Sequence, residues 1–246
     1  MIGTATEVHL WRCSIDLPGA ALDEAYSVLR DDEIERARRY KFARDRRRFV
    51  VARAFLRRSL AEHLSVDPRE LEFVYGPFGK PGLMPGRPAE SVEFNLSHSG
   101  NVAVLAVTRG PVVGIDVEQL VPVPEWRGLA SRFFSAYENA ALTGVAPDAR
   151  DLAFYSCWTG KEAFLKALGS GLAHPLDSFD VSVDESHPRL VALRGDLGAR
   201  TAWTFYHLCP VQGYVATLVV EGDGAELVWR SPLRAAERIS SGSGGG

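Results

Sequence analysis

Lysine is scarce in this chain. There are four, Lys41, Lys80, Lys161 and Lys166, against 24 arginines. Arginine therefore supplies the generic positive charge, and each lysine marks a place where a compact point charge is kept instead of a planar fork. Cysteine is nearly absent. Cys13, Cys157 and Cys209 are far apart, odd in number and without metal-ligand spacing. That excludes a disulfide framework or a zinc-type cluster and predicts free thiols in a reducing compartment. No apolar run approaches the roughly 18 residues a membrane span needs. Met1-Ile2-Gly3-Thr4 opens neither a basic nor a signal-like apolar stretch, so a cytoplasmic protein with no membrane partner is expected. The net charge is only −3, which gives no whole-molecule attraction to nucleic acid.

What is present is ordinary for a globular protein. The chain has 246 residues, 46% hydrophobic and 24% charged, ample for one large domain or two of about 110 residues. Its charge is uneven. Residues 1–110 carry 17 basic and 15 acidic side chains, and the remainder 11 and 16. The end, Ser240–Gly246, is serine and glycine only, and a flexible tail is expected over 231–246.

Two of the four lysines lie in Trp158-Thr159-Gly160-Lys161-Glu162-Ala163-Phe164-Leu165-Lys166. Read as a helix, this places Phe164, Leu165 and Leu168 on one side, with Trp158 at the edge. Glu162 and Lys166, four apart, stack on one face. Gly169 and Gly171 supply a stop. A Glu/Lys pair at this spacing can be a surface ion pair. The retention of lysine in an arginine-rich chain argues for more.

In chain order, residues 6–15 alternate apolar and polar as a half-buried strand does. Pro18–Leu29 reads as a helix, and Asp31-Asp32-Glu33 opens another with acids in its first turn. Arg36–Arg58 holds eleven basic residues and one acid, Asp45. Within it Phe49, Val50, Ala54, Phe55 and Leu60 recur at helical spacing, predicting a long helix over about 44–64 with an apolar stripe and a basic remainder. Such a face suits solvent, a nucleic acid or a small phosphorylated ligand. The absence of interleaved aromatics ranks the small anion above the polymer. Leu71–Tyr75 is a short strand, followed by the turn Gly76–Gly82 with Lys80 at its apex. Val92–Gly100 is a strand running into a polar turn, where Asn95, Ser97 and His98 offer hydrogen-bond donors to an anion.

Val102–Val107 is an apolar strand, and Arg109-Gly110-Pro111 is the best domain junction. In the next strand, Val112–Glu118, Asp116 and Glu118 are two apart and share one side. They are an exposed acidic strand end, or they repel unless a cation sits between them; oxygen-only ligands suit Mg²⁺. Helical turns follow over 127–142, with Ser135 as N-cap and Glu138 at the capping-box position. A long helix over 148–168 precedes strands over 179–183, 189–193, 201–208, 214–220 and 226–229. Both halves thus run from helices to strands.

Four pieces stand in order: Gly79-Lys80-Pro81, Asn95-Leu96-Ser97-His98-Ser99-Gly100, Gly114-Ile115-Asp116-Val117-Glu118 and Trp158–Lys166. From about Asp32 to Val220 the chain resembles the Sfp-type 4′-phosphopantetheinyl transferases, which activate carrier proteins of polyketide, nonribosomal peptide and fatty-acid synthesis. The resemblance implies an α+β (α/β) fold of two similar subdomains, 1–110 and 111–230. They are related by pseudo-twofold symmetry, each a long helix packed on a small, mainly antiparallel sheet, with coenzyme A in the cleft between them. It implies a monomer in which Asp116, Glu118 and Glu162 bind Mg²⁺ with the coenzyme A pyrophosphate. Arg36, Lys80, Ser97, His98 and Lys166 would hold the nucleotide and its phosphates, and Arg53 matches a basic position found in some members. One departure is visible. Some members carry a second lysine a turn before the Arg36 position, where this chain has Glu33, so capture of the 3′-phosphate is expected to lean on Arg48 or Arg53.

The implied reaction moves 4′-phosphopantetheine from coenzyme A to a serine of an apo acyl or peptidyl carrier protein, releasing adenosine 3′,5′-bisphosphate. A serine hydroxyl needs a base, and Glu162 is the candidate. Lys166 would stabilise the leaving bisphosphate, and Asp116 would hold the metal. The carrier is expected to dock on residues 119–142 and on the segment after Gly169. Two other classes stand beside this one: a coenzyme A or nucleotide-binding protein without transfer, and a nucleic-acid module using Arg36–Arg58, which the net acidic charge disfavours.

Overall fold

The computed structural model describes residues 6–16, 19–86, 91–169, 174–193 and 202–231. Apart from Ser231, the expected tail lies outside them, as do Pro18, residues 170–173 just after Gly169, and Thr201 at the start of one expected strand. The protein is mixed α/β, with helices and small, mostly antiparallel sheets, and it divides into two compact units.

The first unit comprises residues 1–14 and 73–229. Strand β1 (Glu7–Ser14) pairs antiparallel with β5 (Val102–Arg109), and β5 pairs with β4 (Val92–Ser99). The last strand, β11 (Glu226–Trp229), returns to the free edge of β1 and pairs with it in parallel, making a four-stranded sheet. A second sheet is built from β6 (Val113–Gln119), β10 (Tyr214–Glu221) and β9 (Trp203–Leu208), all antiparallel. Alternation turns Val8, Leu10, Val104 and Ala106 of the first sheet and Ile115, Val117, Ala216 and Leu218 of the second into one shared apolar core. Strands on both sides of Arg109–Pro111 therefore share a core within one unit.

Two hairpins stand apart from these sheets. Strands β2 (Phe73–Tyr75) and β3 (Pro81–Leu83) flank the Gly76–Lys80 turn, and β7 (Phe179–Val181) pairs with β8 (Leu190–Leu193). The helical turns expected over 127–142 divide into α4 (Trp126–Phe133) and α5 (Ala136–Gly144). The break comes where Ser135 caps α5 and Glu138 closes the capping box.

The expected long helix is α6 (Arg150–Leu168), stopped by Gly169 in the left-handed conformation (φ 65°). It packs on β6 and β10. Phe154, Phe164 and Leu165 enter a second core with Phe134, Phe179 and Phe205. Gly114 sets how close helix and sheet come. A Cβ there would collide with the carbonyl oxygen of Ala163 and the amide nitrogen of Ala167, so the α6 backbone rests directly on β6. That contact brings the polar edge of α6 within side-chain reach of Asp116.

The second unit, residues 15–72 and 230–246, holds α1 (Gly19–Ser27), α2 (Asp31–Arg38) and α3 (Ala43–Leu64). Ala25, Leu29, Ala37, Val50 and Ala54 form its core. The picture of an apolar stripe with a basic remainder holds only for the first turns of α3, where Arg44 and Arg47 are exposed. From Val50 to Ala61 the helix is buried almost all round, Arg53 and Arg57 included. No helix among the described residues is long and apolar enough to cross a membrane. Cys13, Cys157 and Cys209 are free thiols.

Candidate active site

Asp116, Glu118, Glu162 and Lys166 meet where β6 passes under the last turns of α6. Strand periodicity turns Asp116 and Glu118 to one side, and helical periodicity stacks Glu162 and Lys166. Lys166 Nζ lies 2.6 Å from Asp116 Oδ1 and donates to Ser97 Oγ at 2.9 Å. Ser97 Oγ in turn donates to Asp116 Oδ1 at 2.8 Å. Asp116 is buried, and its other oxygen, Oδ2, has no hydrogen-bond partner.

The carboxylates load one another. Burial raises the pKa of Glu162, and the negative charges of Asp116 and Glu118 add to the rise while Lys166 opposes it. Glu118 is raised by burial and by Asp116, against the pull of a hydrogen bond from Ser99 and the charge of Lys166. Excess negative charge is thus concentrated in a partly dry place, which favours a cation or a proton there.

Among the described residues, no three His, Cys, Asp or Glu side chains form a ready-made metal cage. The donors nevertheless fit Mg²⁺. They are hard oxygens, one of them an orphaned buried carboxylate oxygen, and Mg²⁺ is ordinarily held by one or two carboxylates, with water and phosphate oxygens completing its shell.

The remaining expected residues are placed as follows. Lys80 Nζ donates to the carbonyl of Ala167 at 3.2 Å and, more weakly, to that of Val113 at 3.4 Å, so it sits at the negative end of the α6 dipole. Burial lowers its pKa, and Glu93 partly offsets the drop. His98 is exposed on the face of β4 opposite Ser97. Arg36 and Arg53 belong to the second unit. Arg36 is exposed, with its guanidinium 5.5 Å from the Phe49 ring centre. Arg53 is buried, 3.3 Å from Glu33 and 5.9 Å from the same ring. Glu33 also takes Arg57 at 2.6 Å and accepts from the Arg30 amide at 3.0 Å. The departure seen at Glu33 is therefore the anchor of a buried ion cluster.

Three features escaped the sequence. Asn95, read as a donor to an anion, instead accepts a hydrogen bond from Ile115 N at 2.8 Å and is buried. Lys161, one of the retained lysines, faces away from the carboxylates and is wholly buried against Glu138 at 2.7 Å. Ser99 donates to Glu118 at 2.5 Å. The signal for the first and last was the period-two recurrence of small polar side chains at Asn95, Ser97 and Ser99 in one strand.

Two family models match the chain: the 4′-phosphopantetheinyl transferase superfamily over residues 112–219 and an N-terminal 4′-phosphopantetheinyl transferase model over 18–110. The 4′-phosphopantetheinyl transferase HetI of Nostoc sp. (strain PCC 7120) is 38% identical over 219 residues, covering 89% of either chain. The 4′-phosphopantetheinyl transferase Sfp of Bacillus subtilis (strain 168) is 32% identical over 159 residues, 65% of this chain and 68% of its own. Among solved structures, the holo-[acyl-carrier-protein] synthase AcpS of Thermotoga maritima is similar over 46% of this chain and 65% of its own, at 27% identity and a TM-score of 0.36.

Proposed function

Because the chain belongs to the 4′-phosphopantetheinyl transferase superfamily, we propose that it transfers the 4′-phosphopantetheine group of coenzyme A to a serine of an apo acyl or peptidyl carrier protein. Adenosine 3′,5′-bisphosphate is the second product. The observation that supports this reading is the Lys166–Asp116 ion pair between α6 and β6, with Glu118 and Glu162 near enough to act on it and on each other through their charges. It is a constellation of carboxylates and one cation without a covalent nucleophile. Phosphoryl-type transfer rewards such a site, because positioning and charge neutralisation do most of the work.

Each residue then has a task. Asp116 and Glu118, with Glu162, are the proposed holders of Mg²⁺. When bound, Mg²⁺ would neutralise charge on the coenzyme A pyrophosphate. Glu162 takes the proton from the carrier serine hydroxyl as that oxygen attacks the β-phosphorus. Lys166 holds Asp116 and Ser97 in register and offers positive charge to the departing bisphosphate. Lys80, Ser97 and His98 are proposed to contact the nucleotide. The carrier is proposed to dock on residues 119–142, where Val121, Leu129 and Tyr137 are exposed. The protein acts as a cytoplasmic monomer in this reading.

Incubation with coenzyme A, Mg²⁺ and a panel of apo carrier proteins, followed by intact mass measurement, tests the reading. The expected result is the addition of one phosphopantetheine to at least one carrier. Tight coenzyme A binding with no mass gain on any carrier would replace transfer by simple binding.

A further inference from the structure

Strands β4 and β6 belong to different sheets and share no backbone ladder. They are joined through side chains instead. Asn95 Oδ1 accepts from Ile115 N at 2.8 Å, Ser97 Oγ from Val117 N at 3.4 Å, and Ser99 Oγ from Gln119 N at 3.2 Å. The constant offset means the two strands run in the same direction. Alternate side chains of β4 thus stand where the carbonyls of a neighbouring strand would stand, and they satisfy N–H groups on the outer edge of β6.

The serines do a second thing that Asn95 does not. A serine hydroxyl has one proton to give. With its oxygen accepting from a backbone N–H, each serine turns that proton to the carboxylate of the preceding β6 residue. Ser97 donates to Asp116 at 2.8 Å and Ser99 to Glu118 at 2.5 Å. Asp116 has a further tether in Lys166 at 2.6 Å. Ser99 holds Glu118, whose side chain is only partly buried. Glu118 has three rotatable bonds and a like-charged neighbour on its own face of the strand. Both entropy and repulsion favour its swinging out into water.

We propose that Ser99 is a positioning residue. Its hydroxyl, itself held by the Gln119 amide, keeps the Glu118 carboxylate beside Asp116 and so prepares the pair to receive a divalent cation. The inference rests on the reading of Asp116 and Glu118 as metal holders. It extends that reading to a residue whose hydroxyl is engaged by the Glu118 carboxylate and the Gln119 amide.

The test is an equilibrium one. Binding of a fluorescent coenzyme A would be measured against Mg²⁺ concentration for the wild type, Ser99→Thr, Ser99→Cys and Ser99→Ala, together with each melting midpoint in the absence of metal and coenzyme A. The Mg²⁺ needed for half-maximal binding should rise about tenfold or more in Ser99→Ala, as for loss of a partner that orients a ligand. Ser99→Cys, whose thiol is a weak donor, should be intermediate, and Ser99→Thr should stay near the wild type. A lowered melting midpoint with an unchanged Mg²⁺ requirement in Ser99→Ala would reduce Ser99 to a structural bond and overturn the inference. If Ser99→Ala does not fold, a wild-type Mg²⁺ requirement in Ser99→Cys overturns it equally. Coenzyme A binding by the wild type that ignores Mg²⁺ would instead sink the metal-holding reading itself.

Discussion

Lys161 Nζ lies 2.7 Å from Glu138 Oε1, and neither side chain reaches solvent. The ammonium also donates to the carbonyls of Leu176 and Phe179 at 2.6 and 2.7 Å and lies 4.3 Å from the Phe179 ring centre. Glu138 accepts in addition from the amides of Ser135 and Val181. One ion pair thus ties α6 to α5 and β7. Removing one partner leaves a buried charge unpaired, at a cost of about 3–5 kcal/mol. Lys161→Met and Glu138→Gln should each lower the urea midpoint sharply. The folded fraction of either variant should keep its coenzyme A affinity. Wild-type stability in Lys161→Met would show that the pair is not a support.

Gly114 should not tolerate a methyl group. Gly114→Ala drives a Cβ into the backbone of α6 at Ala163 and Ala167, and backbone cannot rotate away as a side chain can. Overpacking of this kind costs about 1–3 kcal/mol. It also lifts Glu162 and Lys166 from Asp116. Calorimetric melting and the transfer assay should therefore fall together, and a loss of stability with full transfer would separate the contact from the site.

Glu162 links stability to pH. Burial first, and then Asp116 and Glu118, raise its pKa in the folded protein. The folded state therefore holds this proton at pH values where the unfolded chain has released it. Stability from the group is full below the unfolded pKa and is lost as pH rises through the folded one. Glu162→Gln should accordingly raise the melting midpoint of the metal-free protein at neutral pH, while in the Mg²⁺-supplied assay it should cut transfer by about two to four orders of magnitude, the usual reach of a general base. In the metal-free wild type, stability should fall as pH rises through the raised pKa of Glu162. A Glu162→Gln variant that melts lower at neutral pH, or that keeps its activity, contradicts the assignment.

Glu33→Lys would install the lysine carried by some similar enzymes near this position. It should not improve capture of an anion here. Glu33 is 2% exposed and sits between Arg53 and Arg57, so the exchange puts three cations together in a buried place. Loss of the partner alone costs about 3–5 kcal/mol. The expected outcome is poor folding of residues 15–72, read as early loss of amide protection there by hydrogen exchange. Tighter coenzyme A binding with normal protection would refute this.

The sequence by itself determined whatever depends on the local period of the backbone. Asp116 and Glu118 share a face because strand side chains alternate. Glu162 and Lys166 stack because a helix turns once in 3.6 residues, and Ser135 caps α5 with Glu138 three residues on. Gly169 stops α6 because a left-handed residue there carries no Cβ penalty. Only the tertiary structure decided which polar groups meet across long stretches of chain. Lys161 and Glu162 are neighbours with the same local pattern, yet one is sealed against Glu138 and Phe179 and the other joins Asp116 and Glu118. Ser99 is one more hydroxyl in a strand until β6 lies alongside. The return of β11 to β1 is likewise unreadable from eight residues at opposite ends of the chain. Periodicity states which way a side chain faces. What it faces depends on partners brought in from elsewhere, and those are chosen by the packing of the whole core.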